Sequence, residues 1–118
     1  TVLNMKIKHL NGAYFRAIIN NKMEERILYD KIRDICEYEL GEYTSWEDNL
    51  FQKGFIVTAQ YCAEGGEQQK AYDTLLRLHN FYIGKESDES KLNYIDDLLD
   101  CVSGFVGNDN YKIWDKHL

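Results

Sequence analysis

The chain of 118 residues contains no proline. Nothing in it therefore forces a helix to break, and no proline-rich linker separates modules. Cysteine is scarce: Cys36, Cys62 and Cys101 stand far apart, with no CxxC pair, and an odd count cannot close a disulfide set. Three buried thiols in a reducing compartment is the expectation. No apolar run approaches the ~20 residues that a membrane helix requires. The first residues lack the apolar core of a signal peptide, and a cytoplasmic location is expected. Basic residues are locally missing as well. Between Asp34 and Gln52 there are six carboxylates and no Lys or Arg.

The residues that are present point to one folded domain spanning 1–118. An apolar share of 44% and nine tyrosines exclude a disordered chain, and the length is enough for a single core. The net charge of −6 is uneven. Residues 1–59 hold eight Lys and Arg against nine Asp and Glu, whereas residues 60–118 hold six against eleven. A field of that sign repels phosphates, which excludes direct nucleic-acid binding, and it speeds association with a basic protein.

Apolar spacing predicts an all-α fold: a bundle of four to six amphipathic helices. The alternating segment Met5–Leu10 is the one strand candidate. A short helix carries Tyr14, Phe15, Ile18 and Ile19. A long one runs from about Met23 to Leu40, with Ile27, Leu28, Ile32, Ile35 and Cys36 inward, and Gly41 ends it. Thr44-Ser45-Trp46-Glu47 reads as a capping box with Thr44 as N-cap. The helix it opens carries Phe51, Phe55, Thr58, Tyr61 and Cys62 and stops at Gly65-Gly66. A further helix spans about Glu67 to Tyr82, with Ala71, Leu75 and Leu78 inward, before Gly84. Ser87 caps another, whose core face is Leu92, Ile95, Leu98, Leu99 and Val102, and which ends at Gly104 or Gly107. Asn108-Asp109-Asn110 is a turn. Tyr111–Lys116 forms a last helical turn that packs Ile113 and Trp114. From Phe55 to Phe81 the pattern, with Gly65-Gly66 and then Lys70-Ala71-Tyr72, resembles a single tetratricopeptide-type hairpin. That resemblance implies that the two helices pack on each other, and it implies no ligand.

Several motifs bear on chemistry. Asp96-Asp97-Leu98-Leu99-Asp100 spells DDxxD, the magnesium–diphosphate motif of isoprenoid synthases, but the second motif of those large enzymes is absent. A solvated helix face explains it as well. Small all-helical nucleotide pyrophosphatases have EExxE followed by ExxD. Here Glu24-Glu25 is followed by Leu28, and Asp97-xx-Asp100 is the nearest substitute. A magnesium-dependent nucleotide hydrolase is accordingly the enzyme alternative. His9, His79 and His117 have no zinc spacing, and no glycine-rich phosphate loop is present. No cofactor, metal or catalytic set is expected.

The acidic stretches are the best candidate sites. Glu37, Glu39, Glu42, Glu47 and Asp48 surround one interhelical turn together with Tyr38, Tyr43 and Trp46. Asp96, Asp97 and Asp100 form a second group. Carboxylates mixed with aromatics suit a basic protein partner, because aromatic anchors supply affinity and charge supplies steering. Glu37, Glu39, Glu42, Tyr43, Glu47 and Asp48 are expected first, then Asp96, Asp97 and Asp100. A small, acidic, tyrosine-rich, helical chain with no chemistry of its own resembles the acidic immunity proteins of bacterial nuclease toxins, of the colicin and contact-dependent types. The likeness is one of kind and assigns no role to any residue. It implies a non-catalytic inhibitor that covers the cationic surface of a toxin or nuclease. A helical adaptor or phage regulatory protein is the other binding alternative.

Overall fold

A computed structural model describes residues 23–84 and 89–118. The strand candidate Met5–Leu10, the helix around Ile18, and the Ser87 cap lie outside these residues. Among the described residues the fold is all-α, with four helices and no strand: α1 (Glu25–Tyr38), α2 (Asn49–Ala63), α3 (Gln68–Ile83) and α4 (Glu89–Ser103), followed by a single 3-10 turn at Asp109–Tyr111.

Each helix is held by a stripe at three- and four-residue spacing, which keeps one face on the core. Leu28, Ile32 and Ile35 form it on α1, Ala71, Leu75, Leu78 and Tyr82 on α3, and Ile95, Leu98, Leu99 and Val102 on α4. All of these are buried. Phe55, expected inward, is only half-buried, because it lies at the edge of the core against Tyr111.

The helices form a ring in which α1 packs on α2 and α3, and α4 packs on α2 and, most extensively of all, on α3. Consecutive helices α2 and α3 touch little. The hairpin packing implied by the tetratricopeptide-like pattern is therefore not how α2 buries its apolar face. Instead α2 packs closely on α4. The hydrogen of Gly54 leaves room for Tyr94, since a Cβ there would stand 2.2 Å from the Tyr94 hydroxyl oxygen and 3.1 Å from Leu98 Cδ1. Tyr94 uses that space to donate to the Leu50 carbonyl at 2.8 Å.

One sequence expectation is overturned at the start of α2. Its N-cap is Asp48, whose Oδ1 accepts from the Leu50 amide at 2.9 Å, and not Thr44. Both residue types cap well. The residues between them are drawn into a turn instead. Asp48 N–H donates to the Ser45 carbonyl at 3.0 Å, Tyr43 is buried, and Trp46 lies 5.9 Å from Tyr111.

The C-terminal segment is pinned to the end of α4. Helix ends leave carbonyls without helical partners. Here Ile113 N–H donates to Cys101, Gln68 Nε2 to Val102 at 2.8 Å, and Leu118 N–H to Ser103 at 2.9 Å. Gln68 also donates to the Lys116 carbonyl. Gly104, at φ +90°, makes the reversal that begins this return, a conformation costly to any residue with a Cβ. Residues after Tyr111 are irregular and do not make the expected helical turn, although Ile113 and Trp114 do pack on the core. No disulfide joins the cysteines. Cys36 and Cys101 are buried and Cys62 is half-buried.

Candidate functional site

The two acidic stretches meet. The Tyr43 hydroxyl, from the loop before α2, donates to Oδ2 of Asp97 on α4 at 2.5 Å. Tyr43 is only 2% exposed and its ring meets Tyr94 edge-on at 5.1 Å. It cannot serve as an exposed anchor. It orients a carboxylate instead.

The first acidic stretch is less bare than its sequence suggests. Glu39 pairs with Lys53. Glu37 accepts from the Tyr82 hydroxyl at 3.0 Å and lies 3.5 Å from the Lys91 ammonium. Exposed pairs of this kind contribute about 0–1 kcal/mol to stability. They nevertheless lower the local negative charge, so the carboxylates between Asp34 and Gln52 are not all uncompensated. Asp48 is engaged as a helix cap. Glu42 and Glu47 are exposed and have no ion pair with a described residue.

The DDxxD carboxylates diverge. Asp96 points to α3, where its Oδ1 is 3.0 Å from His79 Nε2. Asp97 and Asp100 face the other way and line a groove of about 380 Å³. Among the described residues no group of three or more His, Cys, Asp or Glu is placed to hold a metal ion. Neither the DDxxD run nor Glu24-Glu25 forms such a group there.

The groove has an acidic wall and an aromatic wall. Trp46 comes from the loop before α2, and Phe105, Val106 and Tyr111 come from the C-terminal return, with Phe51 and Cys101 also lining it. Trp46 and Phe105 are 51% and 67% exposed, so these rings offer apolar surface to solvent beside two carboxylates. Among the described residues no Lys or Arg lines the groove.

Burial holds both carboxyls above the ordinary Asp range. For Asp97 the Tyr43 hydrogen bond pulls the other way and Asp96 adds repulsion; for Asp100 the charges of Asp97 and Asp96 add to the rise. Burial first, then Asp100 and Asp97, pushes the Cys101 thiol up to about 12. Burial likewise raises Cys62. Thiols so held are protonated near neutral pH and make poor nucleophiles. Burial, reinforced by the bond to Asp97, also keeps Tyr43 as a neutral donor.

The sequence reading named Asp97 and Asp100 and placed Trp46 in an acidic cluster, but it missed Phe105, Val106 and Tyr111. One signal for them exists. Phe105 and Val106 form an apolar pair between Gly104 and Gly107, in a segment whose turn residues demand no apolar side chain. No protein-family model matches the chain, and no curated protein or solved structure matches it either.

Proposed function

We propose that this is a non-catalytic binding protein that takes a basic protein partner, in the manner of an immunity protein or inhibitor that covers the cationic surface of a toxin or nuclease. The observation that carries this reading is the groove in which Asp97 and Asp100 stand beside exposed Trp46 and Phe105, with no Lys or Arg on its walls among the described residues. Desolvated aromatics give a protein interface its affinity, while unneutralised carboxylates choose a cationic partner and steer it in. Exposed Glu42 and Glu47 lie on the loop that carries Trp46, and they extend the same negative field.

The test is capture. The tagged chain is incubated with a lysate of its source cells and bound proteins are identified by mass spectrometry. The reading expects a basic protein that is released by moderate salt and is lost when Glu42 and Glu47 are changed to Lys together with Asp100→Lys. Capture that survives those reversals would refute the electrostatic mechanism. Release of phosphate from nucleotides by the purified chain with Mg²⁺ would put the hydrolase alternative in its place.

A further inference from the structure

Resting on that reading, we infer that the groove between α4 and the C-terminal return is an arginine pocket, receiving one guanidinium of the partner between the Asp97 and Asp100 carboxylates and the aromatic rings of Trp46 and Phe105. The two carboxylates are three residues apart, on one face of α4, so they can accept from a single planar donor fork. Tyr43 occupies Oδ2 of Asp97, which holds that carboxylate in place and leaves Oδ1 for a ligand. The Asp100 carboxylate has no hydrogen-bond or ion-pair partner among the described residues, although burial and its acidic neighbours already disfavour its charge. A bound cation would relieve both conditions.

The aromatic wall selects arginine over lysine. A guanidinium is weakly hydrated and stacks on ring faces, whereas an ammonium keeps its water and has no plane to stack. The size is also appropriate. About 380 Å³ lies at the small end of ligand sites and takes one long side chain, not a folded peptide. An anionic occupant is excluded by the sign of the wall.

The experiment is an NMR titration of the full chain with the peptide acetyl-Gly-Arg-Gly-amide, alongside its lysine and citrulline counterparts. The arginine peptide is expected to shift the Trp46 indole and the Phe105 and Gly107 amides saturably. The lysine peptide should bind about threefold more weakly, as a lost stacking contribution implies. The neutral citrulline peptide should leave these signals in place. Asp100→Asn, which keeps the side-chain shape, should weaken the arginine peptide about tenfold. Asp73→Asn, exposed on α3 and outside the groove, should not alter it by more than about twofold. Equal binding of arginine and citrulline peptides, or shifts that avoid Trp46 and Phe105, would overturn the assignment. The two proposals fail separately. If lysate capture of a basic protein persists while the arginine peptide misses the groove, the pocket is wrong and the basic-partner reading stands. If the peptide occupies the groove but no basic protein is captured, the pocket stands and the partner reading falls.

Discussion

Tyr43 and Asp97, 54 residues apart, are joined by a 2.5 Å hydrogen bond from the phenol to the carboxylate, and this bond connects the two acidic stretches of the chain. The donor is buried and the acceptor lies on a groove wall. A core residue thereby orients a carboxylate of the groove and offsets part of the rise that burial gives its pKa.

Tyr43→Phe isolates that bond, because it retains the ring against Tyr94. A hydrogen bond to an ionised group contributes about 1.5–3 kcal/mol, and partial exposure places this one near the lower end. Denaturant unfolding should show a loss of about 1.5 kcal/mol. The Asp97 carboxyl, followed by carbon NMR against pH, should titrate higher in the variant, since burial raises its pKa and the bond is what pulls it back down. An unchanged Asp97 titration would show that the bond does not form in solution.

Asp100 should carry a stability penalty at neutral pH. Its folded-state pKa is raised above the ordinary 3.8, so the folded state holds its proton more tightly than the unfolded chain. That stabilisation is present in full below the ordinary value and is lost as pH rises through the folded one. Asp100→Asn should therefore melt higher than the parent at neutral pH, and the gap should close below about 3.8. A variant that melts lower at neutral pH would contradict this. Such a gain, together with weaker cation binding, is the pattern of a residue kept for function and not for folding.

Gly54→Ala tests the α2–α4 contact. The added methyl would stand 2.8 Å from Tyr94 Cζ and closer still to its hydroxyl oxygen, so Tyr94 must give up its bond to Leu50. Overpacking of this kind costs about 1–3 kcal/mol. In Tyr94→Phe the same glycine change should cost less, and a double-mutant cycle measures the difference. Additive effects would mean that the two residues do not touch.

Alkaline unfolding reports on the buried hydroxyls and thiols. Tyr61 is pushed up to about 12 by burial and the charge of Glu25, and Cys101 is likewise pushed to about 12, against ordinary values of 10.0 and 9.0. Both are raised, so stability holds below the ordinary values and is lost as pH climbs toward about 12. Tyrosinate absorbance should accordingly appear in one cooperative step with loss of helix. Native thiol labelling at mildly alkaline pH should reach half-buried Cys62 before Cys36 or Cys101. Rapid labelling of all three would contradict the packing.

The helices themselves were legible because their signal is local. Leu28, Ile32 and Ile35, or Ala71, Leu75, Leu78 and Tyr82, repeat at the period of the helix whatever surrounds them, and α2, α3 and α4 stop where Gly65, Gly84 and Gly104 follow. Charge near the groove was legible for the same reason, since Asp97 and Asp100 share a helix face by spacing alone. The choice between Thr44 and Asp48 as N-cap was not local: either could cap α2, and packing of Tyr43 and Trp46 decided it. The neutralisation of Glu37 and Glu39 also depended on distant residues, because Lys91 and Lys53 reach them only once the helices assemble. The aromatic wall is the clearest case. Trp46 and Phe105 line one groove because the carbonyls ending α4 take their hydrogen bonds from Gln68 and the C-terminal return, which folds that segment back. Periodicity specifies which face of a helix is apolar. Which partner covers that face, and which side chains are left beside the opening, depends on contacts between residues far apart in the chain.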